Sequence, residues 1–287
     1  MAVLGLGLMG SSAARRLVES GFNVILWNRS LEKAEALARE LGVEIAKSVA
    51  EAVSKVDAAL AFLADDEALM TVASTIPRAD GLVLSNFSTV TPRASVQVSE
   101  FLKSRGVCYV ETPVVGGPQA LREGKAVILV SGPVHCVRSV RGVINALASE
   151  VFDISEDIGK AAALKLAYNN LLITTVASLA ESMALAESYG VNVKTFFDLL
   201  SKTMFKDIAE KYYNRLVAED APVGFRLALA AKDLDYARRA AGEKGLTIFI
   251  ASNAEQLYRI ASTMGYGDMD YSRIYMFLKK IRGYAGI

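Results

Sequence analysis

Ala2-Val3-Leu4-Gly5-Leu6-Gly7-Leu8-Met9-Gly10, running on into Ser11-Ser12-Ala13-Ala14-Arg15-Arg16-Leu17, is the stretch that decides the fold. Three apolar residues read as a strand, the glycines as a tight turn, and Met9 to Ser20 as an amphipathic helix. Three glycines alone arise often enough for packing reasons. In a strand-turn-helix setting each plays its own part. Gly5 permits the turn, Gly7 lets a phosphate approach the backbone, and Gly10 allows close helix packing. The helix N-terminus adds unpaired N–H groups and a partial positive charge, so Gly5, Leu6, Gly7, Leu8, Met9 and Gly10 form a cradle for a pyrophosphate.

Working outward, Asn23 to Trp27 reads as a second strand and Leu31 to Leu41 as a second helix, which completes a βαβ unit. The second strand ends in Trp27-Asn28-Arg29-Ser30, where a protein specific for NAD would carry a carboxylate for the ribose hydroxyls. Arg29 offers a guanidinium for a 2′-phosphate instead, a contact worth about 1.5 to 3 kcal/mol, with Asn28 and Ser30 as further donors. NADP is therefore expected in preference to NAD.

Further strands are expected at Ala58 to Leu63, Leu82 to Leu84, Val107 to Val110 and Ala126 to Val130, each followed by a helix or turn. The fold class is α/β: residues 1–158 form a Rossmann domain with a doubly wound, largely parallel sheet. From Gly159 the pattern changes to helical periods at Ala161 to Tyr189, Lys194 to Ser201, Phe225 to Gly242 and Ile248 to Met264, with no strand among them. Residues 159–287 thus read as an all-α domain, linked to the first by a long helix. That helix is apolar around most of its circumference, which fits either a dimer interface or a central position within one subunit.

Composition narrows the function. With 32 Lys plus Arg against 31 Asp plus Glu, net charge +1, no global field attracts nucleic acid or an anionic membrane. The uncharged run between Lys165 and Glu181 falls short of the ~20 apolar residues of a membrane span. No targeting signal is read at the start. Cys108 and Cys136 lie far apart and the chain has 1 His, so no metal is expected and a reducing, cytoplasmic setting is the default. His135 follows Gly132-Pro133, near a helix start, where a solvated or capping role outweighs catalysis. Without a G-x-S-x-G elbow, hydrolysis is a poor reading.

Five separated motifs occur in order: the glycine turn with Asn28-Arg29-Ser30, then Ser88-Thr89-Val90-Thr91-Pro92, Glu111-Thr112-Pro113-Val114-Val115-Gly116-Gly117, Gly159 to Asn170, and Lys232-Asp233. Together they resemble the β-hydroxyacid dehydrogenases, the group of 3-hydroxyisobutyrate dehydrogenase, the glyoxylate and succinic semialdehyde reductases, and the NADP-dependent L-serine dehydrogenases. The resemblance covers nearly the whole chain. It implies that Lys165 is the catalytic group and Asn169 its substrate-orienting partner; four residues apart on a helix, they project from one face. A lysine can take the proton of an alcohol as hydride leaves carbon where burial and nearby cations lower its pKa from ~10.4 toward ~7 to 8.

The resemblance further implies that Ser88, Gly116 and Gly117, with Val115 beside them, contact a substrate carboxylate, and that Thr89 lies beside the nicotinamide. It places Lys232-Asp233, after Phe225, over the cofactor near the substrate. The backbone of Leu63-Ala64-Asp65 is expected to line the cofactor path, with the carboxylates capping a helix. Two departures stand out: Val115 occupies a position where the family has Ser, and Ala161 replaces its second glycine. The expected activity is hydride transfer between NADP and a small 3-hydroxy acid of the L-serine or 3-hydroxyisobutyrate type, by a homodimer or homotetramer assembled through the helical domain. The alternatives are reduction of short aldehyde acids and a non-catalytic NADP-binding module. Imine reduction and 6-phosphogluconate decarboxylation are disfavoured.

Overall fold

The computed structural model describes residues 1–218 and 222–284, in two compact units, Met1–Leu166 and Ala167–Ile287. The first unit runs β1 (Ala2–Leu4), α1 (Leu8–Glu19), β2 (Ile25–Trp27), α2 (Leu31–Leu41), β3 (Glu44–Ile45), α3 (Val49–Val53), β4 (Ala58–Ala61), α4 (Asp66–Thr75), β5 (Val83–Asn86), α5 (Pro92–Lys103), β6 (Cys108–Glu111), β7 (Val114–Val115), α6 (Pro118–Arg122), β8 (Ala126–Ser131), α7 (Val134–Leu147) and β9 (Ala148–Ser155). Strand order is β3-β2-β1-β4-β5-β6-β8-β7, with β9 paired to β8. Neighbours from β3 through β6 are parallel, and β8 returns antiparallel to β6 and β7. The sheet is the expected doubly wound Rossmann core.

Alternation along the strands explains why both faces carry helices. Val3, Leu60 and Val83 point into a core shared with Ala13 and Leu17 of α1, Leu37 of α2 and Val140 of α7. Their neighbours Ala2, Leu4, Ala59, Ala61 and Leu84 point into a second core with Val49 of α3, Leu69 of α4 and Val98 of α5. A period of two with apolar residues at every position leaves no solvated face, which forces helices onto both sides.

α8 (Lys160–Ser188) crosses from the first unit into the second. The second unit continues with α9 (Val193–Leu200), α10 (Lys206–Val217), α11 (Leu227–Gly242), α12 (Phe249–Ala261) and α13 (Ile274–Tyr284). Its core gathers Ile173, Val176, Ala180 and Met183 of α8 with Tyr212, Leu216, Leu234, Tyr258, Tyr271 and Phe277. Asp270, buried at 1% exposure, ties the chain around this core. Its carboxylate accepts from Arg215, from the N–H groups of Gly224 and Phe225, and from the hydroxyl and N–H of Ser272.

Several sequence expectations need correction. β3 and β7 are two residues long, too short to show alternation, and β9 was hidden by the exposed Glu150 and Asp153 of an edge strand. α10 buries only Ala209, Tyr212 and Leu216, a stripe too thin to stand out among its charges. Phe225 precedes α11, and Arg226 bridges Asp270 as a single β-pair inside the helical unit. α8, expected to fall short of a membrane span, is the one helix among the described residues long and apolar enough for one by length and composition.

The two cysteines, distant in sequence, are joined as a Cys108–Cys136 disulfide with Cα atoms 6.2 Å apart. The antiparallel return of β8 along β6 brings the start of α7 beside the start of β6, a proximity that linear spacing does not show.

Replacing Asp270 with Ala should leave Arg215 and three backbone N–H groups without their acceptor, at a cost of about 2 to 4 kcal/mol. Chemical denaturation of the full chain checks this; a loss below about 0.5 kcal/mol, the level of an ordinary surface change, would show that the carboxylate does not organise the unit.

Candidate active site

The glycine turn is built as its sequence demands. Gly5 has φ +97°, and a Cβ there would lie 2.3 Å from the carbonyl oxygen of Phe62. At Gly10 a Cβ would lie 1.9 Å from the carbonyl oxygen of Gly5, so helix and turn touch backbone to backbone. Gly7 differs: a Cβ there meets nothing within 4 Å, so the protein's own packing does not require glycine. Gly7 is also the N-cap of α1, with no side chain capping the helix. An uncapped helix start facing open space suits the phosphates of a dinucleotide.

Asn28 takes a different part from that expected. Its carbonyl accepts from the N–H of Leu6 at 3.0 Å and its amide donates to the carbonyl of Ser30, so it ties the turn to the end of β2. Arg29 is exposed and makes no hydrogen bond or ion pair among the described residues. Ser30 is the N-cap of α2, yet its hydroxyl caps nothing. Both are open to an outside anion, and with the glycine turn the residues present fit a nicotinamide dinucleotide.

In sheet order β2, β1, β4, β5, β6, the loops after the strands lie side by side at the carboxyl edge. Successive bonds link them: Gly5 N to Trp27 O, Phe62 N to Leu4 O, Phe87 N to Ala61 O, and Thr112 N to Asn86 O. Leu63, half-buried, and Ala64, exposed, follow β4, and Asp65 caps α4 by accepting from the N–H of Ala68 at 2.8 Å, the capping role expected of it. Asp66 accepts from the N–H and hydroxyl of Thr91. Ser88, expected at a substrate carboxylate, donates its hydroxyl hydrogen to Ala61 O and accepts from Leu63 N. In this arrangement it braces two loops, and an incoming carboxylate has Gly116 and Gly117 as the other expected contacts. Gly116 has φ +141°, a conformation that excludes a side chain, and Gly117 has open space where a Cβ would be. Thr89 and Val115 are half-buried, and Val115 pairs with Val127 on β8.

Glu111, at the end of β6, is the residue that sequence reading passed over. Its side chain is buried at 1% exposure. One oxygen accepts from the Ser95 hydroxyl at 2.5 Å and the other from the N–H of Ala161 in the first turn of α8, which Ser131 Oγ shares. Ser95 in turn meets the Tyr109 hydroxyl, which the Asn86 amide also reaches. Burial raises the Glu111 carboxyl above the usual carboxylate range, while Ser95 and the N–H groups of Gly159, Ala161 and Ala162 act to lower it. Burial likewise pushes the Tyr109 phenol up.

One turn beyond this anchor stands Lys165, 7% exposed, and one turn further Asn169, 3% exposed. The flanking positions invert the usual pattern: Leu164 is 43% exposed and Ala167 is exposed, so the helix is not covered all round as its composition suggested. Asn169 donates from its amide nitrogen to Asp233 Oδ2 at 2.6 Å. Asp233, on α11, is buried, and Lys232 Nζ lies 3.1 Å from its other oxygen and 4.8 Å from the centre of the Tyr236 ring. Asp233, expected at the cofactor, thus orients Asn169; only a pairing 64 residues apart reveals it. Phe225 is half-buried and its ring meets that of Tyr271 at a tilt of 60°, with 5.3 Å between ring centres. Asn170 Oδ1 is buried without a hydrogen-bond donor. His135 is exposed in the first turn of α7.

Residues 1–155 match the family described as the NAD binding domain of 6-phosphogluconate dehydrogenase. Residues 159–278 match the family described as the NAD-binding region of NADP-dependent 3-hydroxyisobutyrate dehydrogenase. An uncharacterised oxidoreductase of Bacillus subtilis is 28% identical over 97% of this chain and 99% of its own length. Glyoxylate/succinic semialdehyde reductase 1 of Arabidopsis thaliana is 27% identical over 94% of this chain and 95% of its own. Among solved structures, Mycobacterium tuberculosis 3-hydroxyisobutyrate dehydrogenase with L-serine superimposes with a TM-score of 0.83 at 25% identity, over 96% of this chain and 98% of that one.

Two outcomes follow from this geometry. Gly7→Ala should leave stability within about 0.5 kcal/mol of the parent while weakening nucleotide binding roughly tenfold or more, whereas Gly10→Ala should destabilise by about 1 to 3 kcal/mol. Paired thermal melts and nucleotide titrations separate the two. For Glu111, a folded-state pKa above the unfolded value means that the folded chain holds the extra proton; stability is greatest below the unfolded pKa and falls as pH rises through the folded one. Denaturant unfolding of the parent and Glu111→Gln at pH values from about 4.5 upward should show the parent losing ground to the variant as pH rises; a gap independent of pH would refute that sign.

Proposed function

This chain belongs to the β-hydroxyacid dehydrogenase family, and on that premise we propose that it moves a hydride between NADP and the hydroxyl-bearing carbon of a small 3-hydroxy acid, of the L-serine or 3-hydroxyisobutyrate type. One observation carries the reading: a lysine and an asparagine, one turn apart on α8, are both buried, and the asparagine amide is fixed by a buried carboxylate. A cation and an amide are kept from water on a helix whose leucines are partly in it, which points to chemistry at the polar pair.

When bound, NADP supplies the hydride acceptor or donor. The glycine turn and the start of α1 hold its pyrophosphate, and Arg29 with Ser30 holds the 2′-phosphate. Lys165 takes the hydroxyl proton during oxidation and returns it during reduction. Asp233 decides which end of the Asn169 amide faces it, and so fixes the orientation in which Asn169 grips the substrate oxygen. Backbone N–H groups at Gly116 and Gly117 meet the carboxylate. We further propose that Leu171 and Leu185, 67% and 62% exposed on α8, pack against a second copy of the chain.

A second reading, reduction of short aldehyde acids such as glyoxylate or succinic semialdehyde, is favoured by the name of the Arabidopsis relative and by Val115, which removes a hydroxyl from the carboxylate cradle. Val115 leaves a more apolar pocket wall than the family's usual serine.

A spectrophotometric screen of 3-hydroxy acids and short aldehyde acids against NADP and NAD tests the proposal. Turnover with NADP should exceed that with NAD, and Arg29→Ala should reduce this preference by roughly tenfold or more. Lys165→Met should still bind nucleotide and turn over at least ~100-fold more slowly. An Arg29→Ala enzyme with unchanged cofactor preference, or a Lys165→Met enzyme near parental rate, would contradict it.

A further inference from the structure

Hydride transfer makes no use of the other polar convergence in the first unit. Cys108, the first residue of β6, and Cys136, in the first turn of α7, are joined, and His135 Nε2 lies 3.1 Å from Cys136 Sγ. These are the chain's 2 cysteines and its 1 histidine, and their side-chain donor atoms all lie within 4.8 Å of one another. Exposure is graded: His135 is exposed, Cys108 is half-buried and Cys136 is 2% exposed.

We infer that Cys108, Cys136 and His135 form a thiol–disulfide exchange site that takes low-molecular-weight disulfides and thiols from solution. The grading sets the order of events. Cys108 is the sulfur that a small disulfide can reach; its thiolate attacks one sulfur of that disulfide, a mixed disulfide forms, and one small thiolate leaves. Cys136, with its sulfur held beside the imidazole, gives its proton to His135 and attacks the Cys108 sulfur, which closes the protein disulfide and expels the second small thiolate. Both electrons taken from the two protein thiols end on the external disulfide, which leaves as two thiols. Reduction runs the same steps backward with an external thiol as donor.

Placement separates this site from the hydride chemistry. Cys108 begins β6 while Glu111 ends it, about 10 Å along the strand, so the disulfide sits at the amino edge of the parallel strands and the glycine turn at the carboxyl edge. Closing the bond ties β6 to α7 across a separation of 28 residues and should act on the stability of the first unit. The His135 imidazole, exposed on a helix start, has no assigned work in hydride transfer, and a proton acceptor beside a buried sulfur is what the second step needs.

Equilibration of the full chain with oxidised glutathione, followed by thiol titration in denaturant and intact mass, tests the site without substrate or cofactor, so its failure and that of the proposed activity are independent. The expected product has no titratable thiol, no glutathione adduct, and a mass lower by the two thiol hydrogens. Dithiothreitol should restore both thiols and lower the Tm by roughly 10 °C. Cys136→Ser should retain a stable glutathione adduct on Cys108, Cys108→Ser should take up almost none, and His135→Gln should slow closure roughly tenfold with accumulation of the mixed disulfide. Two thiols that persist in the parent chain, a mixed disulfide that never resolves, or thiols masked by a bound metal and released by a chelator would each overturn the inference. So would a His135→Gln variant that closes at the parental rate.

Discussion

The carboxylate of Glu111 at the first turn of α8 is the constraint on which the site depends. A helix start has N–H groups with no partner of their own, and here a buried carboxylate with the Ser131 hydroxyl supplies one. Burial works against the charged carboxylate, while the hydrogen bonds from Ser95 and the helix N–H groups favour it. The carboxylate is itself held through Ser95, Tyr109 and Asn86, so the ends of β5 and β6 and the start of α8 form one hydrogen-bonded unit. Lys165, one turn on from Ala161, inherits its position from that unit. Fixing the proposed proton-transfer group through a helix end, instead of a loop, limits its freedom to a few side-chain torsions.

Burial along α8 runs against composition. Lys165 and Asn169 are inside, while Leu164, Leu171 and Leu185 are substantially exposed. Polar side chains go inside only with partners, and Asn169 has its partner in Asp233. Large apolar side chains clustered on one exposed helix call for a cover, which the proposed second copy supplies. On that proposal a single helix carries both the candidate site and the subunit contact.

Legibility from sequence followed the range of the interactions. β1 and α2 are found at the residues expected, because a three-residue apolar run before glycine and an amphipathic period closed by a glycine are local signals. The doubly wound fold followed from strands apolar at every position. What stayed hidden depends on contacts across the sheet or between helices. Asp233 reads as half of an ordinary Lys-Asp pair until α8 and α11 are side by side, and Glu111 reads as a strand end until α8 begins on it. Cys108 and Cys136 become partners only through the antiparallel turn of β8, and Ser88 and Asn28 reveal their bracing bonds only in three dimensions.

The central claim is that one ammonium group at position 165 carries the proton. Its most direct test is chemical rescue: Lys165→Ala, assayed with saturating NADP and the preferred acid, in the presence of increasing methylamine or ethylamine. The rate is expected to climb with free amine and to level off as the vacated volume fills, with nucleotide affinity unchanged throughout. A variant that binds nucleotide as the parent does, yet whose rate no amine raises at any concentration, would contradict it.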